Sequence, residues 1–220
     1  MKIFAKFFIC ILLVVVMFVT VSCSSIGKYL GDSGLFGGAS IGSSKLPPPA
    51  KEVDGRLVQA NTRFAFKLFK QLIEQQPDKN LFISPTSIAM VLAMAYNGAD
   101  GETKDVMAKA LEIQGIDIED FNKAYADLKT ILQNPDPGIQ MVIANSLWAR
   151  KGMSFYDDFL NINKEFYGAE VRELDFDSPD APKTINNWVK KQTRDKIDKV
   201  VGDTISPEII LFLINALYFK

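Results

Sequence analysis

Apolar and polar positions follow two periods along this chain, and the switches between them mark its elements. Phe64, Leu68 and Leu72 repeat every four residues, which predicts a helix over 61–73 with Asn61 as its N-cap. A short apolar run, Asn80 to Ile83, predicts a strand. Ser84-Pro85 then opens a helix over 85–96, with serine as the cap and proline at the first helical position. That helix is apolar almost all round, so it belongs in the middle of a protein. Helices are expected over 102–111, 118–132, 155–166 and 183–197, and strands over 139–148 and 171–176. The inward stripe of the last helix is Ile185, Trp188, Val189, Gln192 and Ile197.

The strongest signal comes at the end. From Ile209 to Phe219 the chain reads IILFLINALYF, in which Asn215 is the one polar residue. Such a run reads as a strand buried on both faces, with a buried helix as the alternative. A strand of this kind is expected inside a sheet with neighbours on both edges, and Lys220 follows it at once. The chain is therefore expected to be the front part of a larger fold. A polar side chain in a buried strand must find partners or cost about 1–3 kcal/mol. Ser84 and Ser87, at the start of the buried helix, are the candidate partners of Asn215. Helices lead, strands are interspersed and no regular βα repeat appears, so the fold class is α+β.

The front end has a different pattern. Lys2 and Lys6 precede an unbroken apolar stretch from Phe7 to Val19, and Thr20-Val21-Ser22-Cys23 follows. Charge, apolar core and small residues form the layout of a signal peptide over 1–22. A cysteine directly after a small residue resembles the lipobox of prokaryotic lipoproteins, which implies cleavage before Cys23 and lipid attachment to it. Thr20 departs from the usual Leu or Val. An uncleaved anchor is the competing reading, but the apolar core is short of the ~20 residues that span a bilayer; simple secretion is the other. Residues 24–50 are rich in Gly and Ser and contain Pro47-Pro48-Pro49, so 23–50 reads as a tether. Leu35, Phe36 and Ile41 could dock on the folded body, which occupies 51–220.

Composition removes chemistry rather than adding it. There is no histidine among the 220 residues, so Ser-His-Asp and Cys-His catalysis and histidine zinc sites are excluded within this chain. The two cysteines, Cys10 and Cys23, lie ahead of the body and give it no disulfide framework. Twenty-five basic and 26 acidic side chains leave a net charge of −1, which argues against nucleic acid as a partner. Ser25-Ile26-Gly27-Lys28 matches a Ser-x-x-Lys dyad but falls in the tether, where no rigid site can form. The glycines of 27–42 neither follow a strand nor open a helix, as a phosphate loop must. Asp175, Asp177 and Asp180 lack the glycine and closing glutamate of a calcium loop and read as a solvated turn. Lys183, Lys190, Lys191, Arg194, Lys196 and Lys199 read as a solvated helix face, with a polyanion patch as the sharper alternative. Asp157, Asp158 and Glu119 are the carboxylates a hydrolase could use, on helix faces that look solvated.

Three stretches together resemble one family. NLFISPTSIAMVLAMAYNGADGET over 80–103 is similar to the serpin strand-to-helix-B signature. Ile185-Asn186-Asn187-Trp188-Val189, with Thr193 and Ile197, resembles serpin helix F, and Asn215-Ala216-Leu217-Tyr218-Phe219-Lys220 resembles the start of the signature on strand 3 of sheet A. The resemblance runs from about Asn61 to Lys220 and implies an N-terminal serpin part: helices A–F, strands of sheet A and one of sheet B, truncated before the reactive-centre loop. Ser84 and Ser87 match the helix-B serines of the shutter region, and Asn215 matches its asparagine. A histidine from a later strand usually joins that network; this chain has none.

The family resemblance implies an inhibitor of serine proteases, or of cysteine proteases, that traps its target as a suicide substrate by inserting a cleaved loop into sheet A. It implies no enzyme activity, catalytic residue, metal or cofactor, and a monomer. With the lipobox it implies a prokaryotic protein, secreted or in the cell envelope, anchored by lipid to the outer face of the membrane. No residue here matches the bait loop, so the chain as it stands is expected not to inhibit. The alternative is a non-inhibitory surface binding protein on a serpin scaffold.

Overall fold

The computed structural model describes residues 52–133, 136 and 138–220. The signal peptide, Cys23 and the tether lie outside the described residues. Among the described residues, six helices and three strands follow in the order α1 (Gly55–Gln75), α2 (Pro85–Tyr96), α3 (Gly101–Ala110), α4 (Ile118–Gln133), β1 (Met141–Arg150), α5 (Asp157–Tyr167), β2 (Ala169–Leu174), α6 (Ala181–Gln192) and β3 (Leu211–Phe219).

The predicted pattern returns with shifted ends. Helix α1 starts at Gly55 rather than Asn61, because its inward stripe already includes Leu57 and Ala60 ahead of Phe64. Its cap is Asp54, whose carboxylate accepts the Arg56 amide at 2.7 Å. Asn61 lies inside the helix and instead accepts the Tyr125 hydroxyl at 2.9 Å. Helix α6 ends at Gln192, five residues earlier than expected. There the Thr193 hydroxyl donates to the Val189 carbonyl and accepts the Ile197 amide, while Arg194 and Asp195 take left-handed φ values of 51° and 60°. The side chain of Thr193 offers the backbone an alternative to the next helical turn.

Strands β1 and β2 run parallel, joined by α5 as a crossover, whereas β1 and β3 are antiparallel. The order is β2-β1-β3, so β1 is central. One expectation is corrected here. Residues 80–83 form no strand, because no described strand lies alongside to complete a ladder. Strand β3 pairs with β1 alone among the described residues, in keeping with the expectation that its second neighbour is not among them.

Burial of β3 on both faces is as read from the sequence. Phe212, Ile214 and Ala216 pack with Trp148, Ile185 and Val189 under α6. Leu213 faces the opposite core, with Met90 and Met94 of α2, Leu57 and Phe64 of α1, and Leu147 of β1. Alternation along the strand divides these residues between the faces. The sheet is thus sandwiched between α6 and the layer of α1, α2, α4 and α5, and α2 packs directly on β3.

Candidate functional site: a polar seam beneath the sheet

Asn215 is 4% exposed, in the middle of β3. The antiparallel register sets Asn145 of β1 directly opposite, and Asn145 is 2% exposed. Asn215 Nδ2 donates to Asn145 Oδ1 at 2.7 Å. Both amide nitrogens also point at the Met90 sulfur of α2, at 3.7 Å from Asn215 and 3.5 Å from Asn145. A thioether accepts weakly, so the amide–amide bond dominates. The buried Oδ1 of Asn215 accepts no hydrogen bond among the described residues.

Asn145 passes the network on. Its Nδ2 donates to the Tyr167 carbonyl, the last of α5, at 2.7 Å, and the Lys129 ammonium of α4 donates to the same oxygen at 2.7 Å. The Tyr167 ring then carries the seam through the core. Its hydroxyl donates to Asn122 Oδ1 at 2.7 Å, and Asn122 exchanges amide hydrogen bonds with Asn97 at 2.8 and 2.9 Å. Burial pushes the Tyr167 phenol well above its ordinary range, so it remains a neutral donor. Burial also lowers the affinity of Lys129 for its proton.

The serines sit at the other end of this face of α2. Ser84 caps the helix in extended backbone, its oxygen accepting the Ser87 amide at 3.4 Å and its hydroxyl donating to Ser87 Oγ at 3.1 Å. Neither serine bonds to Asn215, which corrects the expected pairing. The physical reason is register: the ladder already delivers Asn145 to Asn215, and one turn beyond Ser87 the helix presents Met90. Asn145 was within reach of sequence reasoning, since it is a polar residue inside a predicted strand, like Asn215. Lys129, Tyr167, Asn122 and Asn97 carried no such signal, because a helix pattern does not say which polar residue faces inward.

The remaining candidates are structural. Asp177 pairs with Arg150 at 2.8 Å, and Asp175 accepts the Asp177 amide at 3.1 Å, so this cluster is a turn. Lys190 pairs with Asp198, Lys199 pairs with Asp203, and the Arg194 guanidinium lies over the Tyr218 ring. Asp157, Asp158 and Glu119 are exposed.

The seam is built around one strand position, Asn215 of β3. It ties the middle of β3 to β1 through the two asparagine amides, and β1 to the end of α5 and to α4 through the Tyr167 carbonyl. Comparison with known proteins supplies the context. The family model Serpin (serine protease inhibitor) matches residues 59–220. The bovine (Bos taurus) leukocyte elastase inhibitor is 39% identical over 168 residues, 75% of this chain and 44% of that protein. The thermophilic serpin tengpin in its latent state superposes with a TM-score of 0.71 at 37% identity, covering 78% of this chain and 45% of that one. Human thyroxine-binding globulin, solved in complex with thyroxine, superposes with a TM-score of 0.64 at 29% identity, covering 74% of this chain and 45% of that one. This chain thus spans under half the length of each of these three relatives. With the family signature running from α1 through β3, and the fold of solved relatives laid over the same elements, the chain belongs to the serpin family.

Proposed function

We propose that this chain is the N-terminal part of a serpin-type inhibitor of serine proteases, held on the outer face of the cell envelope through lipid on Cys23. The observation that carries the reading is β3: a strand buried on both faces, paired only with β1 among the described residues, and pinned at its centre by Asn145. A free edge presents unpaired N–H and C=O groups, and strand addition is the interaction it favours. Serpin loop insertion is itself a standing example of such addition, with release of stored strain. In this reading a protease cleaves the bait loop and becomes acylated. The loop then enters the sheet beside β3. Ser84, Ser87 and Asn215 form the shutter, with Asn145 as the direct partner of Asn215. Nothing in the mechanism asks this chain for a catalytic residue, metal or cofactor. The partner is a serine or cysteine protease.

The test compares this chain from residue 24 with a longer protein containing it, each incubated with trypsin-like and subtilisin-like proteases. The longer protein is expected to give an SDS-stable covalent complex, and the 24–220 chain none. A complex with the 24–220 chain would overturn the assignment of the bait loop to residues outside it. A longer protein that is only cleaved as a substrate would favour the second reading, a binding protein on a serpin scaffold. The likeness to thyroxine-binding globulin supports that alternative. Anchoring is tested separately: Cys23→Ala should abolish incorporation of labelled fatty acid and release the protein from the membrane fraction.

A further inference from the structure

We propose that Lys129 is a positioning residue for the Asn145–Asn215 pair, acting from α4 through the carbonyl of Tyr167. Tyr167 is the last residue of α5, and its carbonyl is one of those a helix leaves unpaired at its C-terminus. Gly168 follows in the left-handed region at φ 57°, which ends the helix. Two donors meet the Tyr167 oxygen, Lys129 Nζ and Asn145 Nδ2, each at 2.7 Å, so both of its lone pairs are used. The half-buried ammonium also lies at the negative end of the α5 dipole. Gly168 leaves the room it needs, because a Cβ there would collide with Lys129 Nζ.

The consequence is a relay of orientation. A side-chain amide offers a donor on one side and an acceptor on the other. An oxygen held in place beside Asn145 accepts only its NH2 group, since a flipped amide would set two acceptors against each other. Asn145 Oδ1 is thereby aimed at β3, where it accepts Asn215 Nδ2. Asn215 is oriented in turn, with its own Oδ1 turned away and without a donor. Four elements, α4, α5, β1 and β3, are coupled through one helix-end carbonyl. The bearing of this coupling on protease trapping rests on the function proposed above; the coupling itself does not.

The test is hydrogen exchange by NMR on the full chain. In the unmodified protein the Lys129 ζ protons should exchange more slowly with water than those of the exposed Lys70, and equal rates would overturn the proposal without any variant. Lys129→Met keeps the stem and removes the ammonium. It should speed exchange of the Asn145 and Asn215 side-chain amides roughly tenfold. The amides of α6 on the opposite face should be unchanged, and Lys129→Arg should restore protection. Unchanged exchange at Asn145 and Asn215, or equal loosening on both faces of the sheet, would overturn it. Protease trapping in a longer protein is read separately: intact trapping with unchanged exchange removes the relay alone, whereas altered exchange without trapping removes the inhibitor reading alone.

Discussion

Replacing Asn145 by alanine should destabilise this protein more than replacing Asn215, although Asn215 lies in the more apolar strand and is the residue its sequence singles out. Asn145→Ala removes the bonds to the Tyr167 carbonyl and to Asn215, two at 2.7 Å each. At about 1 kcal/mol per hydrogen bond, that is about 2 kcal/mol. Tyr167 keeps Lys129, so its oxygen is not orphaned. Asn215 Nδ2 is left with the distant Met90 sulfur, and an unsatisfied buried donor adds at least about 1 kcal/mol. The total is about 3 kcal/mol. Asn215→Ala removes one strong bond and orphans Asn145 Oδ1, which together cost about 2 kcal/mol. It also deletes the Asn215 oxygen that already lacks a donor, which returns about 1 kcal/mol. The net cost is about 1 kcal/mol. The double variant should cost no more than Asn145→Ala alone, because it leaves no orphaned Asn215 amide behind, so the coupling between the sites is about 1 kcal/mol or more. Urea unfolding of the set measures this. The gap between the single variants should move the midpoint by roughly 1 M at an m-value of about 2 kcal/mol/M. Equal costs for the two single variants, or additivity in the double, would refute the assignment of partners.

Other elements give further expectations. Ser84→Ala removes the α2 cap and should cost about 1 kcal/mol, with faster amide exchange confined to the first turn of α2. Arg150 holds the Ile209 and Ser206 carbonyls at 2.8 and 3.0 Å; Arg150→Met should cost about 2–3 kcal/mol and open 200–210 to limited proteolysis ahead of the rest of the chain. The Lys67 ammonium, with Arg63 beside it, holds the Glu112 carboxyl below its ordinary 4.5. The folded value lies below the unfolded one, so the stability it contributes is complete above about pH 4.5 and lost as pH falls through the folded value. Glu112→Gln should therefore lower stability at neutral pH and flatten the acid limb of a Tm-versus-pH curve; an unchanged acid limb would remove Glu112 from the account.

Local patterning was enough to place most elements. The four-residue spacing of Phe64, Leu68 and Leu72, the Ser84-Pro85 start and the apolar run of 209–219 each state a local preference that packing then satisfies. The sequence also required Asn215 to find partners, since its neighbours in the strand leave it no route to water. Tertiary structure chose those partners. Strand register set Asn145 across from Asn215, and the left-handed turn at Gly168 brought the end of α5 to Asn145, where Lys129 of α4 meets it. Residues 145 and 215 are 70 apart in sequence, and no local pattern encodes the register that joins them. Ladder partners were likewise decided in three dimensions: 80–83 has strand composition but no described neighbour, and β3 has one. A sequence states what each segment must bury and satisfy, because those demands are local; which group meets a demand depends on contacts between elements far apart in the chain.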